Sequence, residues 1–186
     1  MSNLYRNATV LPLLKTEQKE NEKRLKFCIV SKNNDCERFD WELGRYTETL
    51  DVNGARFEGL KTMFKDHFVS VDSAIAKVEN IRIENDELVC ECVFDEASSH
   101  IYERFKNGIL NDVSIGYRVL NQDISKKDNK NYVLVKEYEI FEISAVWKGA
   151  DKGANLRNSQ DIEVLDSAKN YINLQKEILN LKEKTI

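Results

Sequence analysis

The chain has one proline, Pro12, and two histidines, His67 and His100, among 186 residues. Any imidazole chemistry therefore rests on one of two residues. The four cysteines, Cys28, Cys36, Cys90 and Cys92, include no CxxC pair, so the spacing that marks a zinc site is missing and no metal is expected. Buried or half-buried reduced thiols are expected instead, with Cys90 and Cys92 two apart in a strand and on one face. No stretch approaches the roughly 20 apolar residues of a membrane helix. The opening Met1-Ser2-Asn3-Leu4-Tyr5-Arg6 lacks the apolar core of a secretory signal. Synthesis in a cytosol and no membrane partner are the expectations. A net charge of −4 argues against a protein that binds nucleic acid by neutralising phosphates.

What is present is a globular composition, 41% hydrophobic and 32% charged, at a length that suits one domain plus a tail. Leu4 to Leu14 and Leu25 to Val30 read as two antiparallel strands, with Pro12 at an edge or bulge and the polar Lys15 to Arg24 as the turn between them. Asn33 to Asp40 reads as a polar loop, Tyr46 to Thr49 as a short strand and Asp51-Val52-Asn53-Gly54 as a turn. Phe57, Leu60, Met63 and Phe64 have helical spacing, which predicts a short helix ending near His67. Ile75 to Ile83 and Leu88 to Phe94 predict a hairpin about Glu84-Asn85-Asp86-Glu87. Ala97, Ile101, Tyr102 and Phe105 predict a helix over 96–107, stopped by Gly108. Val113 to Leu120, Tyr132 to Val135 and Tyr138 to Trp147 read as further strands, with a charged turn at Lys126 to Lys130. From Ile162 the apolar positions take a near-heptad spacing, which predicts a helical tail. Trp41 and Trp147 are expected in the core or at its rim.

Three stretches carry chemistry. Asp66-His67 precedes Ile75…Lys77-Val78. Ser114 sits in Val113-Ser114-Ile115-Gly116-Tyr117. Glu142 opens Glu142-Ile143-Ser144-Ala145-Val146, which runs on to Ala150-Asp151. In this order they resemble the tailed-phage prohead serine protease family over about residues 5–156. Where family members often carry proline and glycine near the histidine, this chain has Ala74 and Ala76, and its acid precedes the histidine.

The resemblance implies a mainly β fold with flanking helices, a compact barrel of the herpesvirus assemblin type, over 1–156. A helical tail over 157–186 would dock or be cleaved. It implies Ser114 as nucleophile, His67 as general base and Glu142 as the acid that orients the imidazole. A serine hydroxyl needs such partners to react. In the assemblin relatives a second histidine fills the third role, and no histidine follows Ser114 here. Glu137 and Glu139 are alternatives to Glu142, and in an unbroken strand Glu139 and Glu142 would face opposite sides. His100 is the rival base, read as a surface residue. Lys148 and Gly149 are candidates for the oxyanion hole, which needs backbone N–H groups. The implied activity is endopeptidase cleavage of phage capsid or scaffold protein (the delta region), and of the chain itself, through an acyl-enzyme. The expected setting is the assembling prohead in the host cytoplasm. No cofactor is implied, and a homodimer or higher assembly stays open. The rival readings are an inactive protease-like scaffold and a β-barrel binding module unrelated to phage.

Overall fold

The computed structural model describes residues 4–11 and 22–148. The expected oxyanion residue Gly149, Pro12, most of the 15–24 turn and the helical tail lie outside the described residues. The fold is mainly β. Ten strands form one mixed sheet: β1 (Leu4–Leu11), β2 (Arg24–Val30), β3 (Cys36–Asp40), β4 (Gly44–Leu50), β5 (Ala55–Arg56), β6 (Thr62–Lys65), β7 (Ala76–Glu84), β8 (Glu87–Phe94), β9 (Asp112–Lys127) and β10 (Lys130–Val146). Among the described residues there is one α-helix, α1 (Ser99–Lys106).

The strand order is β3-β4-β10-β6-β7-β8-β2-β1-β9, and β9 also pairs with β10. β10 is therefore the organising strand. On one side it runs antiparallel to β9 from Lys130↔Lys127 to Val146↔Asp112. On the other it takes β4, β5 and β6 in succession, all parallel to it. β4, β5 and β6 follow one another along β10 joined by short turns, and the crossover that a parallel pairing needs is the path from β6 through β7, β8, α1 and β9 to β10.

Several strands are where the pattern predicts them, β2, β4, β7, β8 and the first half of β9 among them. β7 and β8 form the expected hairpin, and Asn85 and Asp86 at its tip have φ of 51° and 63°. That is the geometry of a two-residue turn whose twist matches the strands. Asp128 and Asn129, with φ of 50° and 60°, close the β9–β10 hairpin in the same way. α1 falls within the predicted range, and Gly108 at φ 71° ends it. Phe105 of α1 packs edge-on against Phe27 at 5.2 Å, which seats the helix on the core formed by residues such as Ile29, Leu88, Ile115 and Tyr138.

Several expectations are corrected. The predicted helix over 57–64 is a turn followed by strand β6. Met63 is held by the β10 ladder opposite Ile143, so tertiary pairing overrides helical spacing. The predicted loop 33–40 contains β3, an edge strand whose polar residues suit an edge. The two strands predicted over 132–147 are one, β10. Trp41 and Trp147 are both exposed.

Candidate active site

The site forms where β6, β9 and β10 lie side by side. Ile143, Ala145, Ile115 and Val113 are buried core residues of β10 and β9. Side chains alternate along a strand, so the residues between them face away from this core. The ladder pairs Ser144 with Ser114 and Glu142 with Gly116. These four residues therefore occupy two adjacent rungs on one face.

A bulge makes this arrangement. Tyr138 and Ile140 are core residues at even positions, whereas Ile143 and Ala145 are core residues at odd positions. The register shift between Ile140 and Glu142 inserts Phe141 as an extra residue opposite Tyr117 and Gly116. Without that insertion Glu142 would point with Ile140 into the core. With it, the carboxylate turns to the same face as Ser114, one of the recognised uses of a bulge. The expectation that Glu139 and Glu142 face opposite sides is corrected for this reason: it assumed an unbroken strand. Glu139 shares the face one rung further on, but it is exposed and paired with Arg118 at 3.0 Å. Glu137 is paired with Arg56 at 2.6 Å.

His67 reaches the same face from a strained turn. Asp66 and His67 have φ of 50° and 60°, and Phe68 N–H donates to Lys65 C=O at 2.9 Å. Two successive left-handed residues suit Asn-Gly and are costly for side-chain-bearing residues, about 1–2 kcal/mol each. Such strain persists only where the surroundings fix it. Here Asp66 N–H donates to Ala145 C=O at 2.9 Å, which ties the turn to β10. Asp66 is exposed.

The turn brings His67 Nδ1 to 2.6 Å from Glu142 Oε1, a contact between residues 75 apart in sequence. The imidazole is 25% exposed and the carboxylate fully buried. A buried carboxylate is costly unless it is hydrogen-bonded. Glu142 has two such bonds: His67 at Oε1, and Ser144 Oγ–H donating to Oε2 at 2.7 Å. With Nδ1–H directed at a carboxylate, Nε2 is the ring nitrogen that can take up a proton. Gly116 makes room for this carboxylate. A Cβ built there would lie 2.7 Å from Glu142 Oε1 and 2.8 Å from its Cγ.

Ser114 is 1% exposed, and its Oγ has no hydrogen-bond partner. The structure thus joins His67 to Glu142 and sets Ser114 on the neighbouring rung, without a hydrogen bond between Ser114 and His67. An unsatisfied buried hydroxyl costs about 1–3 kcal/mol. Apo sites often hold such groups loosely until substrate arrives. His100 lies exposed on α1. Lys148 is exposed in the bend after β10. Ser144 was not singled out by sequence reasoning. Its i, i+2 spacing from Glu142 was the available signal, since that spacing puts both on one face.

All four thiols are buried and unbridged, with Cys90 and Cys92 Sγ 4.0 Å apart as their spacing predicts. Burial pushes the Cys92 thiol well above its usual value, and the neighbouring Cys90 adds to this. Among the described residues no group of three or more His, Cys, Asp and Glu is placed to hold a metal ion. No helix among them is long and apolar enough to cross a membrane.

The sequence model of the family described as caudovirus prohead serine protease matches residues 74–167. The chain belongs to this family. The matched region contains Ser114, Glu142 and Ser144 and begins after His67. Among solved structures the chain is similar to the capsid assembly protease of bacteriophage T4, with 12% identity and a TM-score of 0.42, over 78% of this chain and 97% of that one. No curated protein matches it.

Proposed function

We propose that this prohead protease is an active serine endopeptidase in which Ser114 is the nucleophile, His67 the general base and Glu142 the residue that orients it. The observation that carries the reading is the 2.6 Å contact between His67 Nδ1 and buried Glu142, one rung from Ser114 on the same face. In the reaction, His67 Nε2 takes the Ser114 hydroxyl proton as Oγ attacks the scissile carbonyl. Glu142 stabilises the imidazolium that results, and the imidazolium then protonates the leaving amine. Water, activated by the same imidazole, releases the acyl group and regenerates Ser114. Backbone N–H groups at Lys148 and Gly149 are our candidates for holding the oxyanion.

The substrates we propose are the capsid and scaffold proteins of the assembling head, together with the chain itself, and the place of action is the prohead interior. Family membership supports this. We also read the sheet as a compact barrel of the assemblin type. In support, β9 lies between β1 and β10 while β10 also carries β6. We further propose a division at residue 156, with 157–186 as a docking or cleavable helical tail.

One observation favours a second reading, an inactive protease-like scaffold: Ser114 Oγ makes no hydrogen bond to His67. A paired co-expression decides between them. Wild type and Ser114→Ala are each produced with the capsid protein that the phage encodes, and intact masses of both polypeptides are recorded after head assembly. Truncation in wild type alone supports the endopeptidase and gives the cut sites. Identical full-length masses in both support the scaffold.

A further inference from the structure

We infer that Ser144 is a positioning residue for the proposed reaction, its hydroxyl fixing the rotation of the Glu142 carboxylate that holds His67. The inference rests on the Ser114–His67–Glu142 reading. The terminal torsion of a glutamate has broad, shallow wells, so one hydrogen bond to His67 leaves the carboxylate plane loosely fixed. The second bond removes that freedom: Ser144 Oγ donates to Oε2 at 2.7 Å while His67 Nδ1 meets Oε1 at 2.6 Å. Ser144 is itself fully buried. It is held in the ladder on both sides, opposite Ser114 of β9 and Phe64 of β6. The clamp is therefore built on paired strands rather than on a loop, which is where a precise geometry is best kept.

Ser144 is not a rival nucleophile on this geometry. A nucleophilic serine gives its proton to an imidazole. The Ser144 proton is directed at the carboxylate, whereas Ser114 Oγ has no partner. Removing the Ser144 hydroxyl would leave a buried carboxylate oxygen without that donor and let the plane rotate off the imidazole.

The test uses the purified full-length chain with capsid protein as substrate. The variants are Ser144→Ala, Ser144→Thr, Glu142→Gln and the Ser144→Ala/Glu142→Gln double variant, with Ser114→Ala as control. The expected loss in kcat for Ser144→Ala is about 10- to 100-fold, the range for a hydrogen bond to a charged group, with KM nearly unchanged. Ser144→Thr keeps the hydroxyl and is expected to restore most of the rate. In the Glu142→Gln background the second substitution is expected to cost less than about twofold, because a residue that acts through another is not additive with it. Equal losses in both backgrounds, or a wild-type kcat in Ser144→Ala, overturn the inference. The low-field proton resonance of His67 Nδ1–H reads the same clamp without turnover. It is expected to shift or broaden in Ser144→Ala and to stay in Ser144→Thr, and an unchanged resonance in Ser144→Ala counts against the clamp. Cleavage that survives Ser114→Ala would instead remove the triad reading while the resonance still judged Ser144.

Discussion

Replacing Gly116 by alanine adds one methyl group at the most crowded point of the site. The new Cβ would lie 2.7 Å from Glu142 Oε1, 2.8 Å from Glu142 Cγ and 2.8 Å from Phe141 Cε2, where ordinary contact begins at 3.4 Å. The Glu142 side chain must then retreat by about 0.6–1 Å to reach normal packing distance. Glu142 is fully buried, so it moves only by stretching the bonds of 2.6 Å to His67 and 2.7 Å to Ser144. A displacement of about 1 Å in a catalytic group costs on the order of 10²-fold in rate, or roughly 2.7 kcal/mol of barrier. If the carboxylate loses the imidazole altogether, the loss approaches about 10⁴-fold, because the wrong tautomer then dominates. Overpacking adds a stability cost of about 1–3 kcal/mol, a Tm drop of roughly 2–4 °C for each kcal/mol in a chain of this size. The assay is kcat/KM for capsid-protein cleavage beside a thermal melt. A Gly116→Ala protein that melts cooperatively within that range and has lost about 10²-fold in kcat/KM supports the geometry. Full activity with an unchanged melt would refute the claim that Gly116 makes room for the carboxylate.

Other outcomes follow from the same structure. His67→Ala should abolish capsid cleavage while His100→Ala stays within about twofold of wild type, and a large loss in the second would move the base to α1. The Tyr117 hydroxyl donates to buried Glu48 at 2.5 Å, so Tyr117→Phe should lower stability by about 1–3 kcal/mol in urea unfolding; an unchanged midpoint would show that Arg38, 3.3 Å from Glu48, is partner enough. The Glu84 carboxyl is held below its usual range by Lys26, and that of Glu79 by Lys77 and Arg24. For Glu91 burial pushes upward, but hydrogen bonds from Asn80 and Arg24 outweigh it and lower the value. Groups lowered on folding stabilise the protein above their unfolded value, near pH 4.3, and lose that contribution as pH falls through the lower folded values. Wild type should therefore lose more stability than Arg24→Ala between about pH 5 and 3, measured as urea midpoints, and parallel curves would contradict this.

Much of the candidate site's strand placement could be read from sequence, because Ser114 and Glu142 sit in strands with clear local patterns. The hairpin of β7 and β8 alternates and has Asn-Asp at its tip, so local chemistry and final structure agree. Ser114 and Glu142 stand in apolar runs that could only be strands. His67 was found for its chemistry, but its surroundings were misread. Phe57, Leu60, Met63 and Phe64 have helical spacing, yet β6 takes its shape from β10, a partner some 80 residues away. β3 is charged because it is an edge, and charge in a short segment reads as loop. The Phe141 bulge left no trace in composition, so a count of odd and even positions placed Glu139 and Glu142 on opposite faces. The role of Ser144 depends on that same bulge, which is why two-residue spacing alone did not single it out.

The position of β10 in the chain has a consequence for when the protein can act. His67 and Ser114 are translated before Glu142, and β6 and β9 wait for β10 to join them. A ribosome that has made only the first 128 residues carries the serine and the histidine but not the acid that holds the imidazole. On the proposed triad, the nascent chain is expected to be silent toward its neighbours until the closing strand emerges. Cutting the gene at the Asp128-Asn129 tip should give two inert fragments, the second able to switch on the first by adding a strand in trans. Cleavage by the first fragment alone would show that the acid is dispensable.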